Sequence, residues 1–214
     1  MASYRFEEFR NIADYSELPS GVVDKLRICI ASAFGGTITE EDASNHISGD
    51  QLLVLSKVDV DEVPSILAFS STSMVSPREQ FLDDSFTDLV GCYFAGAAIA
   101  REFQSNGFYH ELNKRRVLFA IQQQASFIFT RTQNPRVHES ISKALEVMSS
   151  ERLIGLAGMT RVIKEGVYGR MLTAEKPVAR EVNYDDLDQE NGDAAIITWT
   201  LGQPLRQPVP QLNS

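Results

Sequence analysis

The stretch that most constrains this chain is Leu89 to Ala100, its longest uncharged apolar run. It is too short to cross a bilayer, which needs roughly 20 residues. Gly91 to Ala100 is apolar throughout, and a strand apolar on both faces belongs in the middle of a sheet. It gives way to Arg101-Glu102-Phe103-Gln104-Ser105-Asn106, after which Gly107 to Gln124 reads as a helix carrying Phe108, Leu112, Leu118, Phe119 and Ile121. A central strand, a polar loop and a helix opened by glycine therefore follow one another directly, and the other elements must be arranged around that joint.

Alternation places Tyr4 and Phe6 opposite Arg5 and Glu7, as in a half-buried strand over Tyr4 to Phe9. Leu18-Pro19-Ser20-Gly21 breaks the chain, with Ser20 as a candidate helix cap. Val22, Leu26, Ile30 and Ala33 follow at helical spacing until Gly35-Gly36. Thr39 to Asp42 resembles a capping box for a short second helix with Ala43 and Ile47. Leu52 to Val58 and Ser65 to Ser70 read as two strands around an acidic turn, and Ser76 to Asp88 as a polar stretch. Ser126 to Thr130 is a compact strand. Pro135 suits the first turn of a helix bearing Val137, Ile141, Ala144, Leu145 and Met148. Val167 to Leu172 and Ala194 to Leu201 read as closing strands joined by an acidic, solvated link. The expected fold class is α/β (α+β): a mixed sheet of six or seven strands flanked by helices. It forms one domain over residues 1–202, with a proline-containing tail at 203–214.

The 214 residues suit one domain, and a hydrophobic fraction of 43% provides a core. A net charge of −9 argues against general nucleic-acid binding, where phosphate attraction supplies most of the affinity, and against docking on anionic membranes. Cys29 and Cys92 sit among apolar neighbours and read as buried free thiols, with no disulfide framework or metal cluster. Arg5, Glu7, Glu8 and Arg10 near the N-terminus do not form a signal peptide. The expectation is a cytoplasmic protein without a metal.

The joint has a chemical use. The first backbone N–H groups of a helix lack internal partners, and the helix dipole adds partial positive charge there; together they hold phosphate. Gly107 lets the backbone approach a ligand without a Cβ in the way. From Arg101 to Arg136, six basic residues (Arg101, Lys114, Arg115, Arg116, Arg131 and Arg136) face two acids, Glu102 and Glu111. That basic stretch in an acidic protein reads either as attraction for an anionic ligand or as a solvated helix face. Neither the P-loop nor the dinucleotide glycine spacing occurs.

Gln104-Ser105-Asn106-Gly107-Phe108-Tyr109 resembles the [RQ]-x-x-G-x-[GA] motif of the GNAT superfamily of acyl-CoA-dependent N-acyltransferases. Ile99-Ala100-Arg101-Glu102-Phe103 is similar to the segment that precedes that motif, and Thr132 to Val137 to the Asn-containing start of the following helix. The resemblance covers roughly residues 4–201. It implies acetyl-CoA, or another acyl-CoA, as cosubstrate. Backbone groups of Ala98, Ile99 and Ala100 would pair with the pantetheine arm as an added strand. The N–H groups from Gln104 through Ser105, Asn106, Gly107 and Phe108 to Tyr109 would hold the pyrophosphate. Asn134 would contact the arm, where an ordinary helix cap is the other reading.

Two positions depart from the pattern. Tyr109 stands where Gly or Ala is usual, and Ile141 where many relatives carry the tyrosine that protonates the departing thiolate. The implied function is direct transfer of an acetyl group to an amine, on a small molecule or a peptide, with a homodimer left open. The alternative is a non-catalytic acyl-CoA-binding or sensing module, and a third reading is a scaffold in which Gly107 only opens a helix. His138 is the candidate proton acceptor, set against a surface histidine on an amphipathic helix. Tyr168 is a further residue placed near an acceptor cleft.

Overall fold

A computed structural model describes residues 3–35, 38–58, 65–75, 90–132, 134–150, 161–165, 184–186 and 194–201. The elements are β1 (Ser3–Ile12), α1 (Ser20–Phe34), α2 (Glu40–Ile47), β2 (Gly49–Val58), β3 (Ser65–Val75), β4 (Gly91–Ile99), α3 (Phe108–Gln122), β5 (Phe127–Thr132), α4 (Pro135–Ser150), β6 (Arg161–Glu165) and β7 (Ala194–Thr200). Their order along the chain is the one expected. The strands form a seven-stranded mixed sheet in the order β1-β2-β3-β4-β5-β7-β6, so the apolar strand β4 is the middle one. The closing strands differ in one place. The described residues hold β6 at Arg161–Glu165, whereas Val167 to Leu172 lies outside them, as do the acidic turn at 59–64, the polar stretch at 76–88, most of the acidic link, Tyr168 and the tail at 203–214.

Contacts divide the chain into two compact units. One takes the chain up to Ser73 together with Ala95–Leu112; the other takes Met74–Phe94 and the chain from Asn113. In the first unit, β1, β2 and β3 form an antiparallel ladder, with Phe6 opposite Leu55 and Leu55 opposite Ala68. Successive side chains of a strand point to opposite faces. Leu52 and Val54 accordingly join Leu26, Cys29, Ile30, Ala43, Ile47 and Phe69 in one core cluster, while Leu53 and Leu55 join Ala68, Leu112, Phe6, Ile99 and Phe108 in another. Helices thus cover both faces of β2, which is why its run from Gln51 to Ser56 is buried without interruption.

α1 begins at Ser20, and Pro19 is the residue at its N-cap; its carbonyl accepts from the N–H groups of Val22 and Val23. Ser20 is therefore the first helical residue and not the cap. At the other end Gly35, at φ 79°, closes the helix by donating its N–H to the Ala31 carbonyl. That left-handed conformation is costly for any residue with a Cβ.

α2 lies directly on β4. The Gly96 N–H donates to Ser71 Oγ at 2.9 Å, and Ser71 Oγ donates to the His46 carbonyl at 2.7 Å. A Cβ on Gly96 would run into that carbonyl. The absent side chain at Gly96 and the hydroxyl at Ser71 together allow the helix end to sit against the strand.

In the second unit β4 and β5 run parallel, with Gly91, Cys92 and Tyr93 opposite Phe127, Ile128 and Phe129. β7 is antiparallel to both β5 and β6. The core gathers Cys92, Phe94, Val117, Phe119, Ile128, Ile141, Leu145, Ile197 and Trp199. Both cysteines are free and buried, and burial pushes the Cys29 thiol up to about 12.

Gly96→Ala is expected to lower the free energy of unfolding by about 1–3 kcal/mol, the usual penalty for forcing extra volume into a packed site. Urea denaturation measures it, and an unchanged midpoint would contradict the placement of α2.

Candidate functional site

β4 ends at Ile99 and the chain turns through a short helical turn, Arg101–Phe103, before α3. The Phe103 N–H donates to the Ala100 carbonyl at 2.8 Å and the Gln104 N–H to the Arg101 carbonyl at 3.3 Å. Ser105 and Gly107 both adopt left-handed backbone, at φ 72° and 78°. Residues Gln104 to Gly107 are exposed, and nothing lies within 4 Å of where a Cβ on Gly107 would stand. The glycine is therefore required by its dihedral and leaves open space above the loop. The Asn106 side-chain amide holds the turn by donating to the Phe103 carbonyl at 3.1 Å. The first intrahelical bond of α3 is donated by Glu111 to the Gly107 carbonyl, so the helix entrance points its earlier N–H groups outward. Because the Gln104 amide is already bonded to Arg101, the group of N–H donors available to an anion starts at Ser105 rather than at Gln104.

The strand before the loop has a definite polarity. The Ala100 N–H donates to the Leu67 carbonyl of β3 at 2.8 Å. Backbone polar groups of successive strand residues point to alternate sides. Ala98 thus shares the side of Ala100, and Ile99 and Ala97 present theirs to the other. The Ile99 carbonyl indeed accepts from Gln104 Nε2 at 3.2 Å. Of the three residues expected to pair with an extended arm, Ile99 is the one whose polar groups face away from β3.

Other residues singled out in the sequence are placed as follows. Phe108 packs edge-on against Tyr4 with ring centroids 5.3 Å apart, and Tyr109 is half-buried. Asn134 caps α4: its Oδ1 accepts from the Arg136 N–H at 3.0 Å and its carbonyl from the Val137 N–H at 3.0 Å. Ile141 is fully buried in the core of the second unit, so no proton donor occupies that position.

The basic stretch does not act as one surface. Arg116 is 1% exposed, lies 4.1 Å over the Phe94 ring, and donates to Asn113 Oδ1, while Asn113 donates to Ser140. It is therefore neither a solvated charge nor an anion ligand. A guanidinium can be buried this way because the ring face and the amide oxygen replace part of its hydration. Arg131 Nε likewise donates to the Tyr93 hydroxyl at 3.0 Å. Arg101 remains exposed, its backbone N–H bonded to Ser32 Oγ at 3.0 Å.

His138 is half-buried, with the Trp199 ring 5.8 Å and the Tyr184 ring 6.4 Å away. Desolvation holds its imidazole below the usual histidine value. Burial also pushes the Tyr184 phenol up to about 12, and its hydroxyl has no hydrogen-bond partner among the described residues. Neither Trp199 nor Tyr184 carried a local signal in the sequence, because the contact joins segments far apart in the chain. Among the described residues, no three side chains suited to a metal come together, and no helix is long and apolar enough to cross a membrane.

No family model and no curated protein matches the sequence. Solved structures do match over nearly the whole chain. The NAA60 enzyme of Arabidopsis thaliana, in complex with acetyl-CoA, superposes with a TM-score of 0.52 at 11% identity, covering 92% of this chain and 98% of that one. The ribosomal-protein-S18-alanine N-acetyltransferase of Escherichia coli gives 0.48 at 11% identity, covering 96% and 99%. A Bacillus subtilis acetyltransferase in complex with CoA gives 0.43 at 11%, covering 93% and 99%. The likeness to the Arabidopsis protein shows that this chain has the GNAT fold.

Gly107→Ala should cost about 1–2 kcal/mol, the penalty for a Cβ in left-handed backbone, as read by urea denaturation. His138 supplies a pH test. Its imidazole resists protonation in the folded state, so below about pH 6.5 the unfolded chain binds the proton first and stability falls with the pH. The loss levels off below the depressed folded value. His138→Gln should flatten this slope between pH 7 and 5; an unchanged slope would contradict the buried setting of the ring.

Proposed function

We propose that this chain binds acetyl-CoA at the joint between β4 and α3 and transfers the acetyl group directly to an amine. The observation that carries the reading is the loop itself. Gly107 stands in left-handed backbone beneath open space, at the entrance of a helix whose first amides point outward. Such a cradle suits a diphosphate, because unpaired N–H groups and the helix dipole act together. The N–H groups of Ser105, Asn106, Gly107 and Phe108 would grip the pyrophosphate. The pantetheine arm would pair with Ile99 and Ala97 as an added strand, which requires Gln104 Nε2 to release the Ile99 carbonyl. Acetyl-CoA supplies an activated acyl carbon. A neutral amine nitrogen attacks it, backbone amides stabilise the oxyanion, and the thiolate leaves and takes up a proton. The Arabidopsis thaliana structure, which carries acetyl-CoA, supports the choice of coenzyme.

One observation favours a second reading, a module that binds the coenzyme without transfer. Ile141 fills the core where an acid would be needed.

Acetyl-CoA at about 100 times its dissociation constant is expected to stabilise the fold by about 2.7 kcal/mol. That corresponds to a rise in Tm of roughly 5–10 °C for a chain of this size. Gly107→Val should abolish the rise. No rise with the unaltered protein would contradict the proposal, whereas a rise without release of free thiol in the presence of amines would leave the binding module as the correct reading.

A further inference from the structure

β1 stands at one end of the strand order, and among the described residues a strand lies along one side of it only. It runs for 10 residues, and its register with β2 is unbroken from Ser3 opposite Val58 to Arg10 opposite Gln51. An edge of that kind offers a row of backbone N–H and C=O groups to another chain. Proteins commonly blunt such edges by keeping them short or by placing a proline, a lysine or a bulge there. Between Ser3 and Arg10 there is no proline, no lysine and no shift of register. The strand carries charges of both signs instead, Arg5, Glu7, Glu8 and Arg10.

Their order, Arg5-Phe6-Glu7-Glu8-Phe9-Arg10, reads the same in both directions. Two copies paired antiparallel about a twofold axis would therefore match charges only in particular registers. Centred between Glu7 and Glu8, the pairing sets Arg5 against Arg10 and Glu7 against Glu8, and like charges directly opposite repel. Centred on Phe6, it sets Arg5 against the second copy's Glu7, and Glu7 against its Arg5. Centred on Phe9, it sets Glu8 against Arg10, but it also runs through Asn11. That residue has φ 54°, away from extended backbone, and the register with β2 skips it. Glu8 is moreover already held, by Arg10 and by Gln51 Nε2, which donates to it at 3.0 Å. Arg5 and Glu7 meet each other at 3.3 Å on the surface. The opposite face of β1 agrees with the Phe6 register. Tyr4 is 55% exposed, with its ring edge-on to Phe108, and Phe6 packs in the same cluster as Phe108. In that register Tyr4 lies diagonal to the second copy's Phe6, a spacing that aromatic side chains bridge. We propose that β1 pairs with β1 of a second copy of this chain, antiparallel and centred on Phe6, over Ser3 to Phe9. The pairing completes the open edge with backbone hydrogen bonds, makes two Arg5–Glu7 pairs by symmetry, and covers Tyr4. A contact of this extent is small beside a standard interface, so the dimer dissociates on dilution. It forms with or without a coenzyme.

Sedimentation velocity of the full chain over a concentration series tests the pairing. The unaltered chain is expected to approach twice its monomer mass as concentration rises. Arg5→Glu and Glu7→Arg each place like charges opposite one another twice, and each should raise the dimer dissociation constant about tenfold or more. Mixed in equal amounts, the two variants should recover the dimer, because each then faces the opposite charge. Arg10→Glu lies outside the paired span and should change the constant by less than about twofold. Hydrogen exchange of the unaltered chain gives a second reading that needs no variant: amides within Ser3 to Phe9 should exchange more slowly at high concentration than at low. A chain that stays monomeric throughout, or β1 amides whose exchange ignores concentration, overturns the proposal. So does a dimer that Arg5→Glu and Glu7→Arg leave intact, a mixture of the two that fails to recover it, or an Arg10→Glu variant that dissociates as readily as they do.

Discussion

Everything proposed for this protein depends on the two edges of β4 being used differently. One edge is held inside the sheet, where the Ala100 amide is bonded to Leu67 and the Gly96 amide to Ser71. On the other, the Ile99 carbonyl is bonded to nothing more demanding than the side chain of Gln104. A carbonyl that accepts from a flexible, exposed side chain is readily offered to another donor, whereas one inside a ladder is not. Strand alternation makes this asymmetry automatic once Ala100 is paired with Leu67.

The same strand explains two local sequence choices. Gly96 is the price of bringing a helix end against a strand, since any Cβ there meets the His46 carbonyl. Gly107 answers a different constraint. It has open space around it, and only its positive φ excludes other residues. One glycine is selected by packing and the other by backbone conformation, although the two look alike in the sequence.

Much of the fold was legible in the sequence because periodicity reports burial directly. The all-apolar run at Gly91 to Ala100 identified the middle strand of the sheet, and the helical spacing from Val22 to Ala33 identified α1. The glycine loop was legible for the same reason that it is useful, since an exposed left-handed residue at a helix entrance is written as glycine. Contacts between distant segments were not legible. Nothing around Arg116 signalled that it would leave its charged neighbours and stack on Phe94, because its partners come from other elements. His138 could be read as a proton acceptor or as a surface histidine, because the Trp199 and Tyr184 rings beside it come from far along the chain. The direction of each amide along β4 was also hidden, since alternation fixes relative directions only after one pairing is known. Grouping Ala98, Ile99 and Ala100 together was therefore too coarse.

The account turns on which amides hold the coenzyme, and amide resonances report that residue by residue. Titrating the ¹⁵N-labelled protein with CoA should shift the signals of Ser105, Asn106, Gly107, Phe108 and Ile99, with Ala100 nearly still because its N–H stays on Leu67. A titration in which the loop signals do not move, or in which Ala100 moves while Ile99 does not, would contradict it.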